Sequence, residues 1–228
     1  MGKTSRLAAI HRKLLAHHGA QAGPGLTDPF ELVLWVQVAY LVADERRLAA
    51  FRLLEKRVGL APKAVAKAKL AVLQEVAAAG GSIGVDLRAV RMQESARRVL
   101  EEWDGDLAQV LALPLAAAVK ALKKFAMIGK PGAEEILLLS GAYPVLALDS
   151  NGMRVLLRLG YGAEDPRYER TYASVRAATQ PEERPDAVWM ASLHHLLRRH
   201  GKEICRRSKP LCGECPLAGA CPWHAENG

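Results

Sequence analysis

All four cysteines of this chain fall within its last 24 residues, at Cys205, Cys212, Cys215 and Cys221, spaced C-x6-C-x2-C-x5-C. No other feature restricts the fold as much. A secreted disulfide framework spreads its cysteines over the core that it staples. Four thiols packed into one short stretch instead predict a single small metal-bound knot. Four thiolates hold a tetrahedral zinc ion or a cubane iron–sulfur cluster. Structural zinc sites pair two short Cys-x2–4-Cys hooks, and here only Cys212 and Cys215 form one. The longer arms on either side favour an object larger than one ion, with zinc and four independent thiols left as alternatives.

The chain has 228 residues, enough for one or two domains with a proper core. With 50% apolar and 25% charged residues it is patterned as a globular protein, so disorder and collagen-like structure are excluded. The first 19 residues carry basic side chains and histidines through their apolar positions and lack the unbroken core of a signal peptide. No apolar run approaches the length that crosses a bilayer. A soluble, cytoplasmic protein without a membrane partner is expected. The net charge of +8 favours phosphate-rich partners through counterion release. Six cations crowd between Arg198 and Lys209, opposed only by Glu203. Read alone, that run is equally a solvated face.

The apolar periodicity is helical throughout and no period-two run of any length occurs, so the fold class is all-α. Helices are predicted over 4–18, 30–42, 44–57, 62–79, 86–102, 106–111, 115–125, 132–141, 150–159, 167–178 and 186–200. The segment 30–42, FELVLWVQVAYLV, is apolar nearly all round and predicts a buried central helix, with Asp28 as N-cap and Pro29 in the first turn. The breaks AAGGSIG, DGD and LP punctuate the others. The pairs His17/His18 and His194/His195 read as solvated or hydrogen-bonded helix residues, and the four tryptophans as core.

The stretch HGKEICRRSKPLCGECPLAGACP resembles the C-terminal [4Fe-4S] loop of the endonuclease III and A/G-mismatch adenine glycosylase family in spacing and in its flanking HG, RSKP and CPL. DPFELVLWVQVAYLVADERR resembles that family's first barrel helix, the region around MIGKPGAEEILL its hairpin LPGVGRKTANVVL, and LALDSNGMRVLLRLG its VDTHIFRV segment. The resemblance implies a two-domain helical fold. A barrel domain with a helix–hairpin–helix would cover 23–143. An iron–sulfur domain would combine 1–22 with 144–228, leaving a DNA cleft between the two. It implies a base-excision-repair glycosylase acting on double-stranded DNA as a monomer associated with the nucleoid. Cys205, Cys212, Cys215 and Cys221 would then ligate a [4Fe-4S] cluster, with Arg206, Arg207 and Lys209 facing DNA phosphates.

Such an enzyme bends the duplex, extrudes a nucleotide, fills the gap with a wedge and cleaves the glycosidic bond. The resemblance assigns Asp149 as the carboxylate that stabilises the oxocarbenium-like sugar. By position alone Asp149 is also a helix N-cap, and the two roles are compatible. Gly129, Lys130 and Gly132 fall on the hairpin that grips a backbone phosphate, and Leu41 or Tyr40 on the wedge. Three departures follow from the same alignment. Pro131 stands where the family's Schiff-base lysine would be, and neighbouring Lys130 points about 100° away on a helix. Leu41 replaces a wedge glutamine, and Met127 replaces the first hairpin glycine. AP-lyase activity is therefore expected to be weak or absent. The alternative is a non-catalytic DNA-binding or damage-sensing relative.

Overall fold

The computed structural model describes residues 5–227. Among them every regular element is helical and none is a strand. Numbered in chain order, these are α1 (Arg6–His18), α2 (Pro29–Gln37), α3 (Asp44–Arg57), α4 (Pro62–Lys67), α5 (Leu70–Ala79), α6 (Val85–Glu102), α7 (Leu115–Leu122), α8 (Lys130–Leu139), α9 (Ser150–Arg158), α10 (Tyr168–Thr179), α11 (Ala187–Glu203) and α12 (Pro222–Asn227). Residue 4, placed in the first predicted helix, lies outside the described residues. Two compact units result: Pro24–Ser140, and the chain up to Gly23 together with that from Gly141 onward.

The Pro24–Ser140 unit packs α2 against α3, α6 and α8, while α4 and α5 pack on α6 and α7 on α8. Leu32 and Leu34 of α2, Met92 of α6 and Ile136 of α8 are buried in its core. Asp28 caps α2 as predicted, its Oδ1 accepting the amides of Phe30 and Glu31 at 2.9 Å each. The helix ends at Gln37, however, and not at residue 42. Two arginines stop it. Arg47 Nη1 donates to the Trp35 carbonyl at 2.8 Å, and Arg88 donates to the Val38 carbonyl. Cations at these terminal carbonyls replace the next helical turn. Residues 38–43 are thereby freed as a loop.

Arg88 is 2% exposed. Besides Val38 it donates to the carbonyls of Ile83 (2.9 Å), Ala77 (2.7 Å) and Gly81. Gly80 makes the approach possible, since a Cβ there would lie 2.0 Å from the Val38 oxygen. Arg88→Met is expected to leave four carbonyls short of a donor and to lower stability by about 3 kcal/mol. The urea midpoint measures it; a shift equivalent to less than about 1 kcal/mol would show that water replaces the guanidinium.

The predicted helix 62–79 is two helices. Ala68 and Lys69 are extended, and Gln93 Nε2 donates to the Ala68 carbonyl at 2.9 Å. Helix α8 starts at Lys130, two residues before the prediction, so Glu134 and Glu135 lie beyond its first turn.

In the other unit α11 packs on α9 and α1, and α9 also meets α10 and α12. Leu7 and Leu14 of α1, Leu156 of α9 and Leu197 of α11 are fully buried. The tight crossing of α9 and α11 needs Gly201, where a Cβ would lie 2.6 Å from the Asn151 carbonyl oxygen. The tryptophans correct the sequence reading: all four are only half-buried. Three of them carry an arginine over the ring, Arg47 on Trp35 (5.7 Å), Arg184 on Trp189 (4.5 Å) and Arg158 on Trp223 (4.3 Å).

Candidate functional site: a capped carboxylate beside a cysteine knot

Asp149 is the N-cap of α9. Its Oδ1 accepts the amides of Asn151 (3.0 Å) and Gly152 (2.7 Å). Its Oδ2 accepts the Asn151 side-chain amide at 3.0 Å and lies 3.4 Å from Arg198 Nε on α11. Both side chains of this ion pair keep about a quarter of their surface open, Arg198 29% and Asp149 23%. The carboxylate is therefore fixed in orientation yet reachable from solvent. Tyr168 on α10 is close enough to feel it: burial first, then the Asp149 charge and that of Glu169, push the phenol up. Sequence reasoning missed Asn151, and it read Arg198 only as the first cation of the Arg198–Lys209 run, with no link to Asp149.

A hydrogen-bonded path leads from Asp149 to the cysteines. Arg154 Nη2 donates to Asn151 Oδ1 (2.9 Å) and to the Gly201 carbonyl (2.7 Å), while its Nε donates to the Cys205 carbonyl (2.9 Å). One turn on, Arg158 donates to the carbonyls of Arg206 (2.8 Å) and Arg207 (3.1 Å) and reaches Cys205 Sγ at 3.4 Å.

Cys205, Cys212, Cys215 and Cys221 form no disulfide and line one small cavity. Its other walls include Ile204, Leu211, Ala218 and Trp223. Burial pushes the Cys215 thiol up, the Leu217 amide opposes this, and the three neighbouring cysteines add to the rise. No three His, Cys, Asp or Glu side chains among the described residues are arranged to hold a metal ion directly. Four thiols around an apolar hollow, with Arg158 and His200 reaching two of the sulfurs, suit a larger cluster. The family reading of the cysteines as its ligands thus fits the residues present. When bound, the cluster would cross-link the segment and supply a redox-capable centre.

His200 enters the sequence reading only as the histidine of the flanking HG, with no role of its own. It is 1% exposed, with Nε2 3.4 Å from Cys215 Sγ and Nδ1 3.0 Å from His18 Nε2. Burial, reinforced by His18 and His17, pushes it down to about 4, so the ring is neutral near pH 7. The predicted reading of His194 as a hydrogen-bonded helix residue matches its 2.9 Å contact with the Ala147 carbonyl. Arg206, Arg207 and Lys209 are exposed beside the knot, Lys209 with a left-handed φ of 52°.

In the Pro24–Ser140 unit, α7 and α8 form a helix–hairpin–helix. Gly129 is the N-cap of α8 with no side-chain cap, and Pro131 sits in the first turn. Gly129 and Lys130 are exposed. The first-turn amides available to a partner are those of Lys130 and Gly132, because Pro131 has none. Neither Gly129 nor Gly132 is crowded; an added Cβ would meet its nearest atom at 3.7 Å in both. The left-handed bend of the hairpin is made instead by Met127, at φ 70°. That is the position aligned with the family's first hairpin glycine. Alongside runs a groove of about 590 Å³ lined by Arg91, Arg98, Lys123, Lys124, Met127 and Gly129 among others. Arg98 and Lys124 share Glu102 at 3.0 and 2.7 Å.

The loop freed by Arg88 carries both wedge candidates. Leu41 is 75% exposed at φ 51°, and Tyr40 is 45% exposed. An apolar side chain held out on a left-handed backbone is strained and solvated at once. Of the two, Leu41 is the more strongly presented.

The described residues thus combine a helix–hairpin–helix, an N-capping aspartate and a C-terminal four-cysteine segment. Residues 205–221 match the iron–sulfur binding domain of endonuclease III. Endonuclease III of Thermotoga maritima is 25% identical over 202 residues, covering 89% of this chain and 86% of the relative. Endonuclease III of Sulfolobus acidocaldarius is 28% identical over 100 residues, 44% of this chain, and there the match spans only 42% of the relative's length. The fold is that of a solved endonuclease III trapped as a covalent intermediate with DNA (TM-score 0.76, 18% identity, 99% of both chains covered). The chain is endonuclease III-like, with a C-terminal iron–sulfur segment.

Proposed function

We propose that this protein is a DNA glycosylase of the endonuclease III type. It would bind double-stranded DNA as a monomer and hydrolyse the N-glycosidic bond of a damaged or mismatched base. The observation that carries this reading is Asp149, a carboxylate oriented by two amides and still open to solvent, one arginine away from the cysteine segment. Its negative charge suits an oxocarbenium-like sugar. Leu41 serves as wedge. The amides of Lys130 and Gly132 hold a phosphate, and Cys205, Cys212, Cys215 and Cys221 ligate the [4Fe-4S] cluster. The Pro24–Ser140 unit is the barrel domain and the remainder the iron–sulfur domain. No helix among the described residues is long and apolar enough to cross a membrane.

Duplexes carrying a panel of damaged and mismatched bases, incubated with the protein and then treated with hot alkali, test the activity. Breaks at one or more modified bases are expected, and none on any substrate would refute it. With Pro131 at the lysine position, borohydride on an abasic duplex should trap no adduct.

One observation favours a second reading. Arg198 offsets the charge of Asp149 at 3.4 Å, which suits a damage-sensing relative that binds without turnover. Salt-sensitive duplex binding with no base release in the panel would select it.

Under either reading, Arg206, Arg207 and Lys209 meet backbone phosphates. Replacing all three with alanine should make the slope of log K against log salt shallower by roughly 2 to 3, at about 0.9 per lost phosphate contact. An unchanged slope would remove the loop from the DNA interface.

A further inference from the structure

The histidines at the end of α1 and α11 form a chain that ends on a cysteine sulfur. Cys215 Sγ, His200 Nε2, His200 Nδ1 and His18 Nε2 follow in sequence at 3.4 Å and 3.0 Å across the ring. His200 is 1% exposed and the His18 side chain 3%. The outer nitrogen of His18, Nδ1, lies 3.6 Å from Glu203 Oε2, too far for a hydrogen bond.

With both rings neutral, proton counting along this chain has one solution. A cluster-bound Cys215 is a thiolate and can only accept, so Nε2 of His200 must carry the hydrogen. A neutral imidazole has a single N–H, which leaves Nδ1 of His200 as an acceptor. His18 must then donate from Nε2, and its own Nδ1 is left bare. The opposite tautomers would aim a lone pair at the thiolate. α1 holds the donor in place, because Arg199 Nη1 donates to the His18 carbonyl at 3.2 Å and to Gln21 Oε1 at 2.9 Å.

We propose that His18 is a positioning residue for the iron–sulfur centre: by donating to His200 it fixes the tautomer that delivers an N–H to the Cys215 thiolate. A hydrogen bond to a cluster sulfur draws off electron density and favours the reduced form, so it raises the reduction potential. The inference rests on the cluster reading and is independent of any glycosylase activity.

The test uses the purified holoprotein on an electrode, with release of iron to a chelator followed in parallel. His18→Phe keeps a ring but has no donor; it should move the potential to a more negative value and speed iron release about 10-fold. His18→Gln places an amide N–H near the lost Nε2 and should restore both. An unaltered potential and release rate in His18→Phe would overturn the assignment. The unsubstituted holoprotein provides a check that needs no variant, since nitrogen-15 shifts of His18 should report the Nε2–H tautomer, and the Nδ1–H tautomer would refute it. A protein that stays colourless after anaerobic reconstitution would instead overturn the cluster reading, and the relay with it.

Discussion

Asp149→Asn is expected to slow base release by about 10²- to 10³-fold while leaving the protein folded. The separation is possible because Asp149 has two tasks that differ in what they need. Capping α9 needs an acceptor for the amides of Asn151 and Gly152, and an asparagine oxygen accepts as well as a carboxylate oxygen does. Stabilising a cationic sugar needs a full negative charge, which asparagine lacks. At Oδ2 the substitution loses the attraction to Arg198 and the bond from the Asn151 side-chain amide, and both losses are small because the site is partly solvated. The expected stability change is thus within about 1 kcal/mol. Asp149→Ala removes the cap as well and should cost roughly 1 kcal/mol more. Single-turnover base release, with the urea midpoint measured alongside, distinguishes the outcomes. A wild-type rate in Asp149→Asn would leave Asp149 as a cap alone.

What could be read from the sequence divides along physical lines. Helices with local signals were legible: Asp28 and Asp149 announce α2 and α9 because a cap acts within three residues of itself. The end of α2 was not, since FELVLWVQVAYLV stays apolar past Gln37 and its stop comes from Arg47 and Arg88, 10 and 51 positions further along. Arg88 had left a faint trace. It occupies the same buried stripe of α6 as Met92, Ala96 and Val99, a helical spacing on which an arginine must find partners. His200 likewise continues the buried stripe of Leu193, Leu196 and Leu197 on α11. The cysteines were legible because spacing itself carries the chemistry. Asp149 gained its proposed role only through resemblance, since a lone capping aspartate looks the same whatever else it does. The left-handed turns at Met127 and Leu41 could not be seen at all, because neither residue type favours that conformation.

Cys212→Ser is expected to unravel the C-terminal segment and leave the Pro24–Ser140 unit intact. Between Cys205 and Cys221 the backbone makes only the short turns Cys212–Glu214 and Ala218–Ala220. Leu217 is the one side chain of that segment with its surface buried. Ordering each residue costs about 1–2 kcal/mol of conformational entropy, and one leucine plus a few turns cannot offset that over such a stretch. On the proposed cluster ligation, the cross-link through the thiolates supplies what is missing. Once it is lost, Arg154 and Arg158 lose the carbonyls of Cys205, Arg206 and Arg207. The path from Arg154 through Asn151 to Asp149 then slackens at its far end. The substituted protein should be colourless, and trypsin should cut after Arg206 and Arg207 on the order of 100-fold faster than in the holoprotein. The far-ultraviolet dichroism should change little, because the segment contributes almost no α-helix. Fragments covering Pro24–Ser140 should persist through the digestion, protected by the core around Leu32, Leu34 and Met92. Equal cleavage rates in the two proteins would mean that packing alone orders the segment, and that the cysteines are dispensable for its fold.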